Sequence, residues 1–94
     1  MNYKEKRPWG EFENLLDAEY CKVKRITVSP NQRLSYQYHH KRSEVWTMVK
    51  GTGHITINDK SWDIETGQTV EIPCQVKHRI ENKTDKDLIF IEVQ

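Results

Sequence analysis

The chain has 94 residues, with 15 lysines and arginines against 14 aspartates and glutamates, a net charge of +1 and 35% hydrophobic residues. That length suits one domain, residues 1–94, able to bury roughly 60–65% of its unfolded surface without cross-links. Near-neutral charge removes the electrostatic case for nucleic acid or an acidic membrane as partner, and no run approaches the roughly 18 apolar residues of a membrane span.

In chain order, the start at Met1-Asn2-Tyr3-Lys4-Glu5-Lys6 has no signal-peptide core, so a cytoplasmic protein is expected. Glu13 to Ala18 carries a faint helical periodicity, too short to define an element. Cys21 to Val28 is β-branched and reads as a strand, stopped by Ser29-Pro30-Asn31. Strands are also predicted over Leu34 to His39 and over Glu44 to Val49, the latter ending at Lys50-Gly51. Gly53 to Ile57 alternates, turns through Asn58-Asp59-Lys60 and returns over Ser61 to Ile64 as a hairpin. Thr69 to Ile72 is closed by Pro73, and His78 to Glu81 and Leu88 to Val93 complete the set around a polar loop. Short strands at this spacing predict an all-β sandwich or barrel. Cys21 and Cys74 are too few for a disulfide framework and read as reduced thiols.

Strand parity then assigns faces. Ser35, Gln37 and His39 share one side while Tyr36, Tyr38 and His40 share the other. A polar row on a strand flanked by apolar strands needs a partner or a ligand, because burying it unpaired is costly. Glu44, Trp46 and Met48 are in phase on the following strand, and His78 and Ile80 share a face far along the chain. His39 and His40 cannot both serve one ion from a regular strand. His39 is chosen, since it alone has Glu44 at the expected spacing. Imidazoles with a carboxylate suit a divalent metal, zinc foremost, with manganese, iron, cobalt and nickel compatible. Lys24 shares parity with Ile26 and Val28, which aims it into the barrel toward a phosphate or leaves it snorkelling at the strand end. Trp46 and Tyr20 read as aromatic core in preference to a sugar-stacking surface.

Two spaced patterns carry a resemblance. His39-x4-Glu44-x6-Gly51 and Gly67-x5-Pro73-x4-His78-x3-Asn82 resemble the two halves of the cupin signature, which implies a small antiparallel jelly-roll β-barrel. Arg7-Pro8-Trp9-Gly10, Val23 to Val28, Leu34 to His40, Arg42 to Trp46 and Ile91 to Gln94 narrow it further. Over residues 7 to 94 the chain resembles the cupin domain of type II phosphomannose isomerases, which in many members follows a mannose-1-phosphate guanylyltransferase domain. The resemblance implies metal-dependent exchange of mannose 6-phosphate and fructose 6-phosphate. It implies His39, Glu44 and His78 as metal ligands with Gln37 as a fourth, and Arg42 as the residue meeting the substrate phosphate or the developing enediolate. Arg42 and Lys24 are therefore the candidate catalytic residues. A homodimer, with Arg7 to Leu16 contributing, is the expected assembly.

Departures from the family pattern are specific. Lys41 and Val45 stand where histidines are usual, and Asn31 and Gln75 where glycines are usual. The family pattern also continues past the position of Gln94 to an arginine expected to help close the sugar-phosphate site. Three readings follow: a sugar-phosphate isomerase or close variant, a non-catalytic sugar-binding or sensing module, and an iron-dependent oxygenase of the cupin type. Gln37 in place of a histidine leans away from the last. No general base is identifiable from the sequence.

Overall fold

A computed structural model describes residues 2–94. It forms nine strands among the described residues: β1 Lys4–Arg7, β2 Gly10–Asp17, β3 Lys22–Val28, β4 Glu44–Lys50, β5 Gly53–Ile57, β6 Lys60–Ile64, β7 Thr69–Ile72, β8 His78–Glu81 and β9 Leu88–Val93. They make a six-stranded sheet in the order β1-β2-β3-β9-β4-β7 and a three-stranded sheet in the order β6-β5-β8. Every pairing in both sheets is antiparallel. This is the antiparallel jelly-roll barrel expected from the strand pattern. No helix in the described residues is long and apolar enough to cross a membrane.

Alternation places the core. Ile26 and Val28 of β3, Trp46 and Met48 of β4, Ile55 of β5, Ile80 of β8, and Leu88 and Phe90 of β9 are buried together. Their in-phase neighbours toward one end of the barrel are polar: Lys24 on β3, Glu44 on β4, His78 on β8 and Glu92 on β9. One end of the core is thus apolar and the other lined with ionisable groups, on the same faces of the same strands.

One faint sequence signal comes to nothing and one expectation is corrected. Glu13 to Ala18 is not helical; β2 runs through Asp17 because β3 pairs with it to that residue, while β1 pairs with it only as far as Glu13, with a bulge between Asn14 and Leu16. Leu34 to His39 is not a regular strand. It touches β8 only at isolated bridges, Arg33 to Glu81 and Gln37 to His78. Between them the Tyr36 hydroxyl is drawn out to the β5–β6 turn, donating to Asp59 Oδ1 at 2.9 Å and accepting from the Asp59 amide at 3.1 Å. β1 carried no sequence signal, since Lys-Glu-Lys-Arg shows no apolar alternation.

The turns explain the marker residues. Pro8 and Trp9 join β1 to β2, and Gly10 follows where a Cβ would collide with the Thr27 carbonyl oxygen. Asn58 and Asp59 both take positive φ, 50° and 67°, the backbone of a tight hairpin turn. Asn31 and Gln75, which stand where the family pattern has glycine, keep the left-handed conformation at φ 60° and 63°. For asparagine that is tolerable; for glutamine it is strain. Asn82 is wholly buried and is a structural hub rather than a ligand. Its Nδ2 donates to the carbonyls of Val28 at 2.9 Å, Ser29 at 3.3 Å and Lys86 at 2.7 Å, and its Oδ1 accepts from the Thr84 amide at 3.0 Å.

Two outcomes follow. Asn82→Ala should cost about 2–4 kcal/mol in urea denaturation, because it leaves several buried carbonyls and one amide without partners. Gln75→Gly should raise stability by about 0.5–1 kcal/mol by relieving the left-handed strain, less the entropy glycine adds to the unfolded chain. An unchanged midpoint for Asn82→Ala would show that the hub carries no energy.

Candidate metal centre

Three segments meet at the polar end of the barrel. Glu44 opens β4 and His78 opens β8, while His39 lies on the bridging segment ahead of β4. Backbone hydrogen bonds fasten the histidine segments together. Gln37 and His78 exchange N–H···O bonds of 2.8 Å in both directions, and the Gln75 amide donates to the His39 carbonyl at 2.6 Å. The left-handed turn at Gln75 therefore anchors the His39 segment directly.

His39, Glu44 and His78 present ligand atoms that all lie within 4.8 Å of one another. His39 Nε2 is 3.4 Å from Glu44 Oε2, and His78 Nε2 is 4.0 Å from Glu44 Oε1. His78 Nδ1 lies 3.1 Å from the Val76 carbonyl. A carbonyl can only accept, so Nδ1 carries the proton, and in the neutral ring Nε2 presents a lone pair to the cluster. That Nε2 is buried and has no hydrogen-bond partner. An orphaned buried acceptor facing a carboxylate and a second imidazole fits a divalent cation, with small side-chain adjustments toward metal–ligand bonds of about 2.0–2.2 Å.

Glu44 is the electrostatic centre. Burial alone would push its carboxyl upward, but hydrogen bonds from Arg42 and Trp46, and its interaction with Glu92, outweigh that and hold it below the usual range. Arg42 Nε donates to Oε2 at 2.8 Å and Trp46 Nε1 donates to Oε1 at 3.0 Å. His39 is lowered first by burial and then by the Arg42 guanidinium, with Glu44 opposing, which favours the neutral, ligating ring. Arg42 also lies 3.2 Å from His39 Nε2. A guanidinium only donates, so it uses the same lone pairs a cation would take.

Beside the cluster opens a cavity of about 400 Å³, lined among others by Lys24, Gln37, Arg42, Glu92, Phe12 and Arg7. Gln37 turns its amide toward Ser35, with Nε2 3.5 Å from Oγ, on this cavity wall. Lys24 is half-buried and lines the same cavity. Glu92 is buried, and burial first, then the Glu44 carboxylate, pushes it up to about 7. Glu92 and Arg7 escaped the sequence reading. The phase of Leu88, Phe90 and Glu92 on β9 carried the signal for the first; the second stood in the Arg7-Pro8-Trp9-Gly10 run, which marked the family resemblance but no site.

Other candidates fall elsewhere. His54 pairs with Asp63, Nδ1 to Oδ1 2.9 Å, on the hairpin of the small sheet. His40 is exposed and packs edge-on against Tyr38. Val45 points outward and Lys41 is exposed, so the family histidines missing at those positions do not leave gaps in this cluster. Trp46 is core, as expected, but Tyr20 is 84% exposed and belongs to no core. Cys21 and Cys74 are free.

The barrel and its His-Glu-His cluster at one open end define a cupin. The chain belongs to the mannose-6-phosphate isomerase C-terminal family, whose sequence model matches residues 1–94. It is similar to the alginate biosynthesis protein AlgA of Pseudomonas aeruginosa, 41% identical over 88 residues, which is 94% of this chain and 18% of that protein. It is also similar to the mannose-1-phosphate guanylyltransferase ManC of Salmonella typhimurium, 40% identical over the same share of this chain and 18% of that protein. The chain thus spans about a fifth of the length of these relatives. Among solved structures, a cupin-2 domain protein of Rhodospirillum rubrum superposes with a TM-score of 0.88 over 98% of this chain and 68% of that one. Its 15% identity supports the fold.

The Trp46 contact can be tested alone. Trp46→Phe removes the indole donor from a buried carboxylate and should destabilise the protein by about 1–3 kcal/mol in chemical denaturation.

Proposed function

We propose that this chain is a metal-dependent sugar-phosphate isomerase module, exchanging mannose 6-phosphate and fructose 6-phosphate. The observation that carries the reading is the orphaned, buried His78 Nε2 facing Glu44 and His39 beside a cation-lined cavity. His39, Glu44 and His78 would hold the metal, zinc foremost, with Gln37 as the fourth ligand. When bound, a divalent cation there supplies Lewis acidity that polarises the sugar oxygens and offsets the charge developing on them.

The chain's own residues do the rest. The reaction moves one proton from carbon to neighbouring carbon and one between the two oxygens. Among the described residues, Glu92 is the only carboxylate side chain lining the cavity, and on this reading it takes the carbon proton and returns it. Arg42 holds Glu44 by its Nε, has one terminal nitrogen beside His39 and lines the open site, where on this reading its remaining nitrogen meets the substrate's oxygens. Lys24 brings a second positive charge to the same cavity. The phosphorylated substrate belongs in the cytoplasm, which is where this reading places the protein.

The curated relatives carry names for guanylyl transfer and polysaccharide synthesis, which favours one further reading: a sugar-phosphate-binding module that accompanies a nucleotidyltransferase.

Metal content by mass spectrometry on untagged protein, followed by isomerase assay with the metal found, separates the two. The isomerase reading expects near one metal per chain, lost in His78→Ala and kept in His40→Ala. It also expects turnover that falls at least about 100-fold in Glu92→Gln with metal content unchanged. Metal and sugar-phosphate binding without turnover would establish the binding module. Wild-type protein that refuses zinc, manganese and iron sinks the catalytic reading.

A further inference from the structure

We infer that Lys24 and Arg7, gathered around the Phe12 ring, form an anion corner that seats the phosphate of the substrate, apart from the metal-ligating cluster. The inference rests on the sugar-phosphate reading for the rest of the ligand, but the corner itself needs no metal.

Phe12 of β2 is half-buried on the inner face of the large sheet, paired with Ile26 on one side and Glu5 on the other. Lys24 Nζ stands 4.8 Å from the centroid of its ring and Arg7 Cζ 5.7 Å from the same centroid. Two cations around one ring repel each other, and the ring's negative face offsets only part of that repulsion. Both line the cavity of about 400 Å³, a volume suited to a small phosphorylated sugar rather than a polymer.

The three cations of the cavity are not equally available. Arg42 is committed, with Nε on Glu44 and a terminal nitrogen 3.2 Å from His39. Arg7 spends one nitrogen on Glu5 at 2.6 Å and keeps the other donors of its fork. Lys24 has no carboxylate within 4.0 Å of its ammonium among the described residues. Its register neighbours are Asn14 and Glu92. Glu92 accepts from Gln94 at 2.5 Å instead. A half-buried ammonium beside a cavity, with no ion-pair partner within 4.0 Å among the described residues, suits an anion seat. A phosphomonoester brings about −1.5 to −2 charges at pH 7 and three acceptor oxygens, which matches one ammonium and one guanidinium fork.

The sheet sets the distance. Lys24 pairs with Glu92 and Glu92 with Trp46, so the lysine lies two strands from the indole that grips Glu44. At about 4.8 Å per strand the backbones of Lys24 and Trp46 are held roughly 10 Å apart on a rigid ladder, with Glu44 two residues beyond Trp46. A phosphate at one end and the reacting carbons at the other would lie across Glu92.

The test is titration, by two-dimensional NMR shifts, of inorganic phosphate, mannose 6-phosphate and mannose into wild type, Lys24→Gln, Arg7→Gln and His78→Ala, with metal content measured on each. Both phosphates should bind wild type, with mannose at least tenfold weaker than its 6-phosphate. Lys24→Gln should weaken mannose 6-phosphate at least tenfold, and Arg7→Gln, at an exposed position where folding is not at stake, at least threefold. Metal content should not change in either, while His78→Ala should lose metal and keep inorganic phosphate. Wild-type affinity in both cation variants, mannose binding as tightly as its phosphate, or no phosphate binding by wild type would each overturn the corner. An enzyme that turns over with both cation variants unimpaired in binding refutes the corner and leaves the isomerase standing. A chain without turnover whose phosphate binding depends on Lys24 does the reverse.

Discussion

Glu44 is buried to 2% exposure at the centre of the polar end, and a carboxylate in that position governs what surrounds it. Left alone it would stay protonated or unfold the barrel mouth. Arg42 and Trp46 each satisfy one of its oxygens, and the two imidazoles close over the remaining space. The arrangement keeps Glu44 charged, keeps His39 neutral and leaves His78 Nε2 without a partner. A charged carboxylate, the neutral His39 ring and the unpartnered His78 Nε2 make a donor set suited to a divalent ion.

Holding those donors together falls to backbone, not to side-chain packing. The His39 segment has no continuous ladder; it is pinned at Gln37 by its two bonds with His78 and at His39 by the amide of Gln75. Gln75 makes that bond from a left-handed turn that glutamine enters only at a cost. Strain of this kind persists where the surroundings over-determine it, and here they do so next to the ligands. Asn82 plays the matching role one strand-length away, bonding three carbonyls from two other segments and so fixing where β8 ends. Two of the pattern's markers, Gln75's position and Asn82, thus concern the shape of the cup rather than its chemistry.

What was legible in the sequence tracks how far each feature depends on period-two alternation. Glu44 with Trp46, and His78 with Ile80, lie in phase with buried apolar neighbours, so parity placed them correctly from residue order alone. β1 was invisible because a run of charges on an edge strand has no inward face to mark, and β2 was blurred by its bulge. The strand expected over Leu34 to His39 failed because parity cannot foresee that the Tyr36 hydroxyl binds a turn 23 residues away. Glu92 was overlooked for a related reason. An acid in a C-terminal apolar strand reads as the solvent side, and only the burial of Leu88 and Phe90 in the same phase reveals it as inward. Arg7 reaches the cavity through the hairpin that folds β1 over β2, a tertiary arrangement with no local trace.

Charge balance links these parts into one device. Glu44 and Glu92 are neighbouring acids on adjacent inner strands; the Glu44 carboxylate disfavours ionisation of Glu92, while the hydrogen bond between them favours the charged form of Glu44. One of the two is fully satisfied by Arg42 and Trp46; the other has Gln94 and the field of Lys24, its register neighbour. A cation among the histidines would relieve the first acid, and an anion at Lys24 and Arg7 would remove the positive field now favouring the second. On the isomerase reading, occupation of the two ends would act on Glu92 in opposite directions, the metal easing its ionisation and the phosphate restraining it. On that reading a group held between two such influences on a fixed ladder would have its proton affinity set by what is bound on either side, as moving a proton back and forth along a seated sugar requires.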